Sequence, residues 1–184
     1  MEKWTRLDSE IALDTPYFRI RRDTCRLPDG REIDDYYVEE VEDIVLIVAL
    51  TSDHHFILVE QYKHGISEIC TEIPGGFCEP DTDDPQIDAQ RELVEETGYT
   101  SATWHKLITL IHNPTRSNNR VHVYLALDAT QTNTQSLDPN EAIEVKLVPR
   151  VAIRQTIAEG EINVTDSVTG ILLALDWIAT EQSL

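Results

Sequence analysis

Asp88, Glu92, Glu95 and Glu96 are spaced so that, on a helix turning about 100° per residue, they share one arc, while Ile87, Ala89, Leu93 and Val94 fall on the other side. Carboxylates set four apart repel by roughly 0.2–0.5 kcal/mol per pair on an isolated helix, so Asp88/Glu92 and Glu92/Glu96 oppose the fold unless a cation stands among them. Arg91 offsets part of this through Glu95, its i+4 neighbour. Hard oxygen donors of this kind suit Mg²⁺ or Mn²⁺. Cations held there would invert the local field and let an anionic substrate such as a diphosphate approach.

A helix must carry this group. Asp84 is a natural N-cap, Pro85 suits the first helical position and Gly98 stands where a helix stops, which predicts a helix over Pro85–Thr97. Ahead of it, Pro74-Gly75-Gly76 forms a loop whose glycines let backbone approach a ligand closely. Tyr17–Leu27, the turn signal Pro28-Asp29-Gly30 and Ile33–Val38 read as a hairpin. Ile44–Leu50 and Phe56–Val59 read as buried strands around a polar turn, and Thr103–Ile111, Arg120–Leu127 and Glu144–Val148 as further strands. Asp128–Glu141 is expected to be loop, and two helices, about 150–159 and 166–180, close the chain. The order predicts helices on the faces of a mixed sheet.

Composition narrows the function. The 184 residues, 41% of them hydrophobic, suit one main domain with at most a small appendage. A net charge of −19, from 34 acidic against 15 basic side chains, disfavours nucleic acid as a partner. Cys25, Cys70 and Cys78 have neither disulfide nor zinc spacing, and none of the six histidines shows ligand spacing. No apolar run approaches the roughly 20 residues of a membrane span, and no signal-like stretch follows the charged start, so a cytoplasmic protein without a membrane partner is expected.

An acidic helix face is ordinarily a solvated one. The order of residues singles this one out: Arg91-Glu92-Leu93-Val94-Glu95-Glu96-Thr97-Gly98-Tyr99 resembles the Arg-Glu-U-x-Glu-Glu-x-Gly-U half of the Nudix signature at every fixed position, U being apolar or aromatic. In the upstream half, Gly76 lies one residue further from Arg91 than the pattern asks, and Asp83 best matches its acid. The flanking segments Leu27-Pro28-Asp29-Gly30, Leu58-Val59-Glu60-Gln61-Tyr62-Lys63, Glu72-Ile73-Pro74-Gly75-Gly76 and Asn140-Glu141-Ala142-Ile143-Glu144-Val145, with Pro114, resemble the ADP-ribose pyrophosphatase branch of that superfamily.

The resemblance implies a Nudix-type α/β/α sandwich with a mixed sheet, residues 41–184, and a small N-terminal antiparallel β-subdomain, residues 1–40, that makes a homodimer and contacts the substrate base. It implies Mg²⁺, with Mn²⁺ as a substitute, held by Glu92, Glu96 and the Gly75 carbonyl, with Glu95 as a further ligand or catalytic support. Glu141 matches the carboxylate that orients or deprotonates water, and Glu144 is its runner-up. Tyr17 resembles the aromatic that stacks on the base and Lys63 a basic residue facing the phosphates; Arg116 is a further phosphate contact, with Arg120 beside it. The implied activity is Mg²⁺-dependent hydrolysis of the diphosphate in a nucleotide sugar, ADP-ribose giving AMP and ribose 5-phosphate. Another nucleoside diphosphate derivative, such as GDP-mannose or a dinucleotide, and a non-catalytic nucleotide-sugar sensor stay open beside it.

Overall fold

The computed structural model describes residues 1–181. The chain divides into two compact units, Met1–Asp43 with Ile111–Arg120, and Ile44–Leu110 with Val121–Leu184.

In the first unit β1 (Thr5–Thr15), β2 (Phe18–Arg26) and β3 (Glu32–Glu39) form an antiparallel sheet in that order. The expected hairpin is β2 and β3. Strand β1 is not expected from sequence, because its side chains are exposed along its whole length and carry no inside-outside alternation; backbone pairing with β2 defines it. Segment 111–120 is tied to this unit by Glu39 N donating to Arg116 O at 2.7 Å, the Tyr36 hydroxyl donating to Thr115 O at 3.0 Å and Val41 N donating to Asn118 Oδ1 at 3.0 Å.

The second unit holds β4 (Ile44–Thr51), β5 (His55–Lys63), β6 (Glu68–Glu72), β7 (Gly75–Phe77), α1 (Pro85–Thr97), β8 (Tyr99–Thr100), β9 (Thr103–Ile111) except its last residue, β10 (Arg120–Gln131) except its first, β11 (Ile143–Pro149), α2 (Ile153–Ala158) and α3 (Thr165–Glu181). Among the described residues its sheet has eight strands, with the order β11-β5-β4-β10-β8 and with β6 on β5, β7 on β4 and β9 on β10. It is mixed, since β4 and β10 run parallel while the other registered pairs are antiparallel.

Alternation along β4 and β10 divides the apolar side chains between two faces. Val48, Leu50, Val123 and Leu125 meet Ile153, Ile171 and Ala174 from α2 and α3. Val45, Ile47, Ala49 and Tyr124 meet Ala89 and Leu93 from α1. Each fully buried Ile, Leu or Phe contributes about 1.5–3 kcal/mol, so helices on both faces are held, giving the expected sandwich with a mixed sheet.

Three expectations need correction. The polar stretch after Leu127 is still strand as far as Gln131: Asp128 takes a left-handed φ of 53° at a bulge, and Ala129 then resumes pairing with Thr51. The first of the two C-terminal helices is shorter than expected, Ile153–Ala158. Pro74-Gly75-Gly76, expected to be loop, is strand from Gly75 onward, and β6 and β7 are too short to show a period and are made by their partners. No helix among the described residues is long and apolar enough to cross a membrane.

Candidate active site

Helix α1 starts and stops where its caps dictate. The Asp84 carboxylate accepts from Gln86 N at 3.0 Å, Pro85 occupies the first turn, and Gly98, at φ 75°, donates its N–H to Val94 O. The face it buries differs from the apolar stripe read from sequence. Ala89 and Leu93 are fully buried, but Ile87 is 59% exposed, while Asp88 and Glu96 are 1% and 7% exposed. The cause is β7, which lies against this helix and covers part of the acidic arc.

Contact there is close because β7 begins with two glycines. A Cβ on Gly76 would stand 2.2 Å from Glu92 Oε1, so the Glu92 carboxylate occupies the space a side chain would need. Gly75 N donates to Glu96 Oε2 at 2.9 Å. Burial pushes the Glu96 carboxyl up to about 8, against the Gly75 N–H and with help from the charges of Glu92 and Glu141. Burial raises Glu92 as well, opposed by Arg91.

Arg91 is the cation of the cluster. Its Nη1 lies 2.8 Å from Glu95 Oε2 and 2.9 Å from Glu92 Oε1, and its Nη2 donates to Asp88 Oδ1 at 3.3 Å and to Phe77 O at 3.2 Å. Burial alone would lower it, but these carboxylates hold the guanidinium above its ordinary range. One side chain thus ties about two turns of α1 to β7.

Gly75, Gly76, Glu92, Glu95 and Glu141 line a polar cleft of about 220 Å³ together with Glu79, Ser136 and Asp138. Lys63 lines a neighbouring cavity of about 210 Å³, whose wall includes Glu96, and is held by Glu72 at 2.8 Å and Gln61 at 2.8 Å. The structure therefore brings Gly75, Glu92, Glu95, Glu96, Glu141 and Lys63 to one region of the second unit. Tyr17, 93% exposed in the turn after β1, and Arg116, in segment 111–120, belong to the first unit. Glu144 is an exposed strand residue paired with Glu60. Glu79, 4.0 Å from Arg91 Nη2, lines the cleft, and Asp83, which is exposed, does not. Glu79, Ser136 and Asp138 were missed from sequence because the box spacing points past the first, while the others sit in a stretch without period; Asp138, three residues before Glu141, was the available signal.

The donors fit a hard divalent cation in chemistry: several carboxylate oxygens, two of them drawn out of water, gathered around a single arginine. Among the described residues no three His, Cys, Asp or Glu side chains already converge as a ligand set. Glu96 is turned to the Gly75 amide, and Glu92 to Gly76 and Arg91.

Residues 4–38 match a family model described as a nucleoside diphosphate sugar hydrolase N-terminal domain. An ADP-ribose pyrophosphatase of Mycobacterium tuberculosis is 29% identical over 167 residues, 90% of this chain and 80% of that protein. An ADP-ribose pyrophosphatase of Bacillus subtilis is 32% identical over 127 residues, 60% of this chain and 68% of that protein. In fold, a crystal structure of an ADP compounds hydrolase superposes with a TM-score of 0.88 at 20% identity, covering 100% of this chain and 98% of that one. With the Arg-Glu-Leu-Val-Glu-Glu-Thr-Gly box of α1 packed against its glycine loop, and a relative this similar across most of its length, the chain belongs to the Nudix hydrolase family.

Proposed function

We propose that this protein hydrolyses the diphosphate linkage of a nucleotide sugar with Mg²⁺ as cofactor, that Mn²⁺ substitutes for it, and that ADP-ribose is the substrate. The observation that carries the reading is the cluster of Glu92, Glu95 and Glu96 packed on Gly75-Gly76, with Glu141 close enough for its charge to raise both Glu92 and Glu96. Nudix hydrolases are generally dependent on a divalent metal, and Glu92, Glu95, Glu96 and the Gly75 carbonyl are the groups that would hold it here. Bound there, the ion would supply positive charge for the diphosphate and would make a water more acidic.

This chain's residues do the rest. Glu141 accepts a proton from the attacking water, the water oxygen bonds to one phosphorus, and the bridging P–O bond breaks in line, so that ADP-ribose yields AMP and ribose 5-phosphate. Lys63 faces the phosphates. Tyr17 and Arg116 in the first unit are assigned to the base and the phosphates, with residues 1–40 as the subdomain that carries the base contact. Homodimerisation through this unit is part of the reading, and Leu7, Ile11 and Leu13 of β1, 41%, 43% and 46% exposed, are apolar side chains it would cover. The two relatives named as ADP-ribose pyrophosphatases support the substrate.

The test is release of phosphate monoester from ADP-ribose, GDP-mannose, dinucleotides and nucleoside triphosphates, with and without Mg²⁺, read through a coupled phosphatase. Selective Mg²⁺-dependent cleavage of ADP-ribose is expected. Preference for GDP-mannose or a dinucleotide would keep the chemistry and change the substrate. No cleavage with either Mg²⁺ or Mn²⁺ would overturn catalysis in favour of a nucleotide-sugar sensor.

A further inference from the structure

The last turn of a helix leaves carbonyls without partners inside the helix. At the end of α1 the carbonyls of residues 93–96 each meet a donor. Leu93 O accepts from the Thr97 hydroxyl at 2.5 Å and Val94 O from Gly98 N at 2.8 Å. The next two are met from the segment that follows β10: Glu95 O accepts from Ser136 N at 2.9 Å, and Glu96 O from Gln135 Nε2 at 2.6 Å. Gly98 O accepts from both Thr132 N and Asn133 N at 3.0 Å. The chain leading to Glu141 is thus fastened to the end of the carboxylate helix.

Gln135 does something the backbone bonds do not. Its Nε2 also donates to Ile143 O, the first residue of β11, at 3.1 Å. Both acceptors are carbonyls, so both N–H groups of the amide are used and its orientation is settled. One side chain therefore joins the end of α1 to the start of β11, and the residues between, 136–142, form a loop closed at both stems. Glu141 stands two residues before Ile143. Among the described residues it is held locally, its N–H donating to Asp138 O at 2.9 Å and its Oε2 accepting from Asp138 N at 3.1 Å.

We infer that Gln135 is a positioning residue, which sets the distance of Glu141 from the Glu92/Glu96 carboxylates by clamping both stems of the loop that carries it. The inference rests on the reading above that Glu141 acts in hydrolysis. Glu92 and Glu96 stand on a rigid helix, whereas Glu141 is on an irregular segment. Its place relative to them depends on how the stems are fixed.

The experiment uses Q135M, which keeps the length and removes both donors, and Q135A, which removes the amide with less bulk, each alone and combined with E141Q. Turnover is measured together with backbone hydrogen exchange over residues 132–142. The expected result is a tenfold or larger fall in kcat with KM within about threefold, loss of that factor on the E141Q background, and faster exchange in 132–142 while residues 85–94 keep their protection. An unchanged kcat overturns the inference, as does an equal loss with E141Q present, which would mean that Gln135 acts on the helix itself. If the parent protein cleaves nothing, the hydrolytic reading falls, and the exchange arm still decides the clamp: unchanged exchange refutes it.

Discussion

Replacing Gly76 by alanine perturbs the site without touching a carboxylate. The new Cβ would stand 2.2 Å from Glu92 Oε1 and 2.4 Å from its Cδ, and ordinary contact begins near 3.4 Å. The carboxylate must therefore retreat by 3.4 − 2.2 = 1.2 Å. It is the far end of a flexible side chain, so rotation accommodates this at an off-rotamer cost of about 0.5–1.5 kcal/mol. Catalysis tolerates it less well, since a misplacement of about 1 Å costs on the order of 10²-fold. Gly75→Ala is the contrasting case, because its Cβ would stand 2.3 Å from the Val45 carbonyl oxygen and 2.7 Å from Leu46 Cδ2. A paired β4 backbone cannot rotate away, and overpacking of this kind costs about 1–3 kcal/mol or more. At about 2–4 °C per kcal/mol for a chain of this size, a cost near the top of that range lowers Tm by roughly 6–12 °C. Thermal melts and steady-state kinetics on both variants are the assay. The expected pattern is G76A melting close to the parent with kcat down about 10²-fold, and G75A melting well below it. Parental kcat in G76A, or a melt as low as that of G75A, would refute the close approach of β7 to Glu92.

Glu96→Gln keeps an oxygen for the Gly75 N–H and removes a carboxyl whose charged form burial disfavours, so its melting temperature should equal or exceed the parent's while turnover falls by about 10²-fold or more; Glu96→Ala, which orphans that amide, should cost about 1–3 kcal/mol in the same melts. Glu141→Gln is expected to lower kcat by about 10²- to 10⁴-fold with a smaller change in KM, and an unchanged kcat would assign the base elsewhere. Burial pushes the Tyr124 hydroxyl, in a side chain 2% exposed, from about 10 up to about 12. The folded state then holds its proton more tightly, so this contribution is whole below pH 10 and is lost as pH rises towards 12, by about 2–3 kcal/mol. Tyr124→Phe should flatten that part of the alkaline denaturation curve, and an identical slope in the variant would show that the hydroxyl is not desolvated.

Helix α1 was legible to the residue, since Asp84, Pro85 and Gly98 act through local backbone geometry that any chain context preserves. The residue types for metal chemistry were legible too, because helical spacing alone places Glu92, Glu95 and Glu96 on one arc. Which part of that arc faces protein was not, and Ile87 and Asp88 exchanged their expected places. Burial is decided by what packs on a face, here a three-residue strand too short to announce itself. The same holds for the exposed strand β1, defined by its partner, and for Gln135, whose two acceptors lie 39 and 8 positions away in the chain. Periodicity and capping are short-range consequences of backbone geometry, so sequence determines them; the shift of Glu96, the clamp on Arg91 and the closure of the Glu141 loop depend on groups brought together only by folding, and tertiary structure alone decides them.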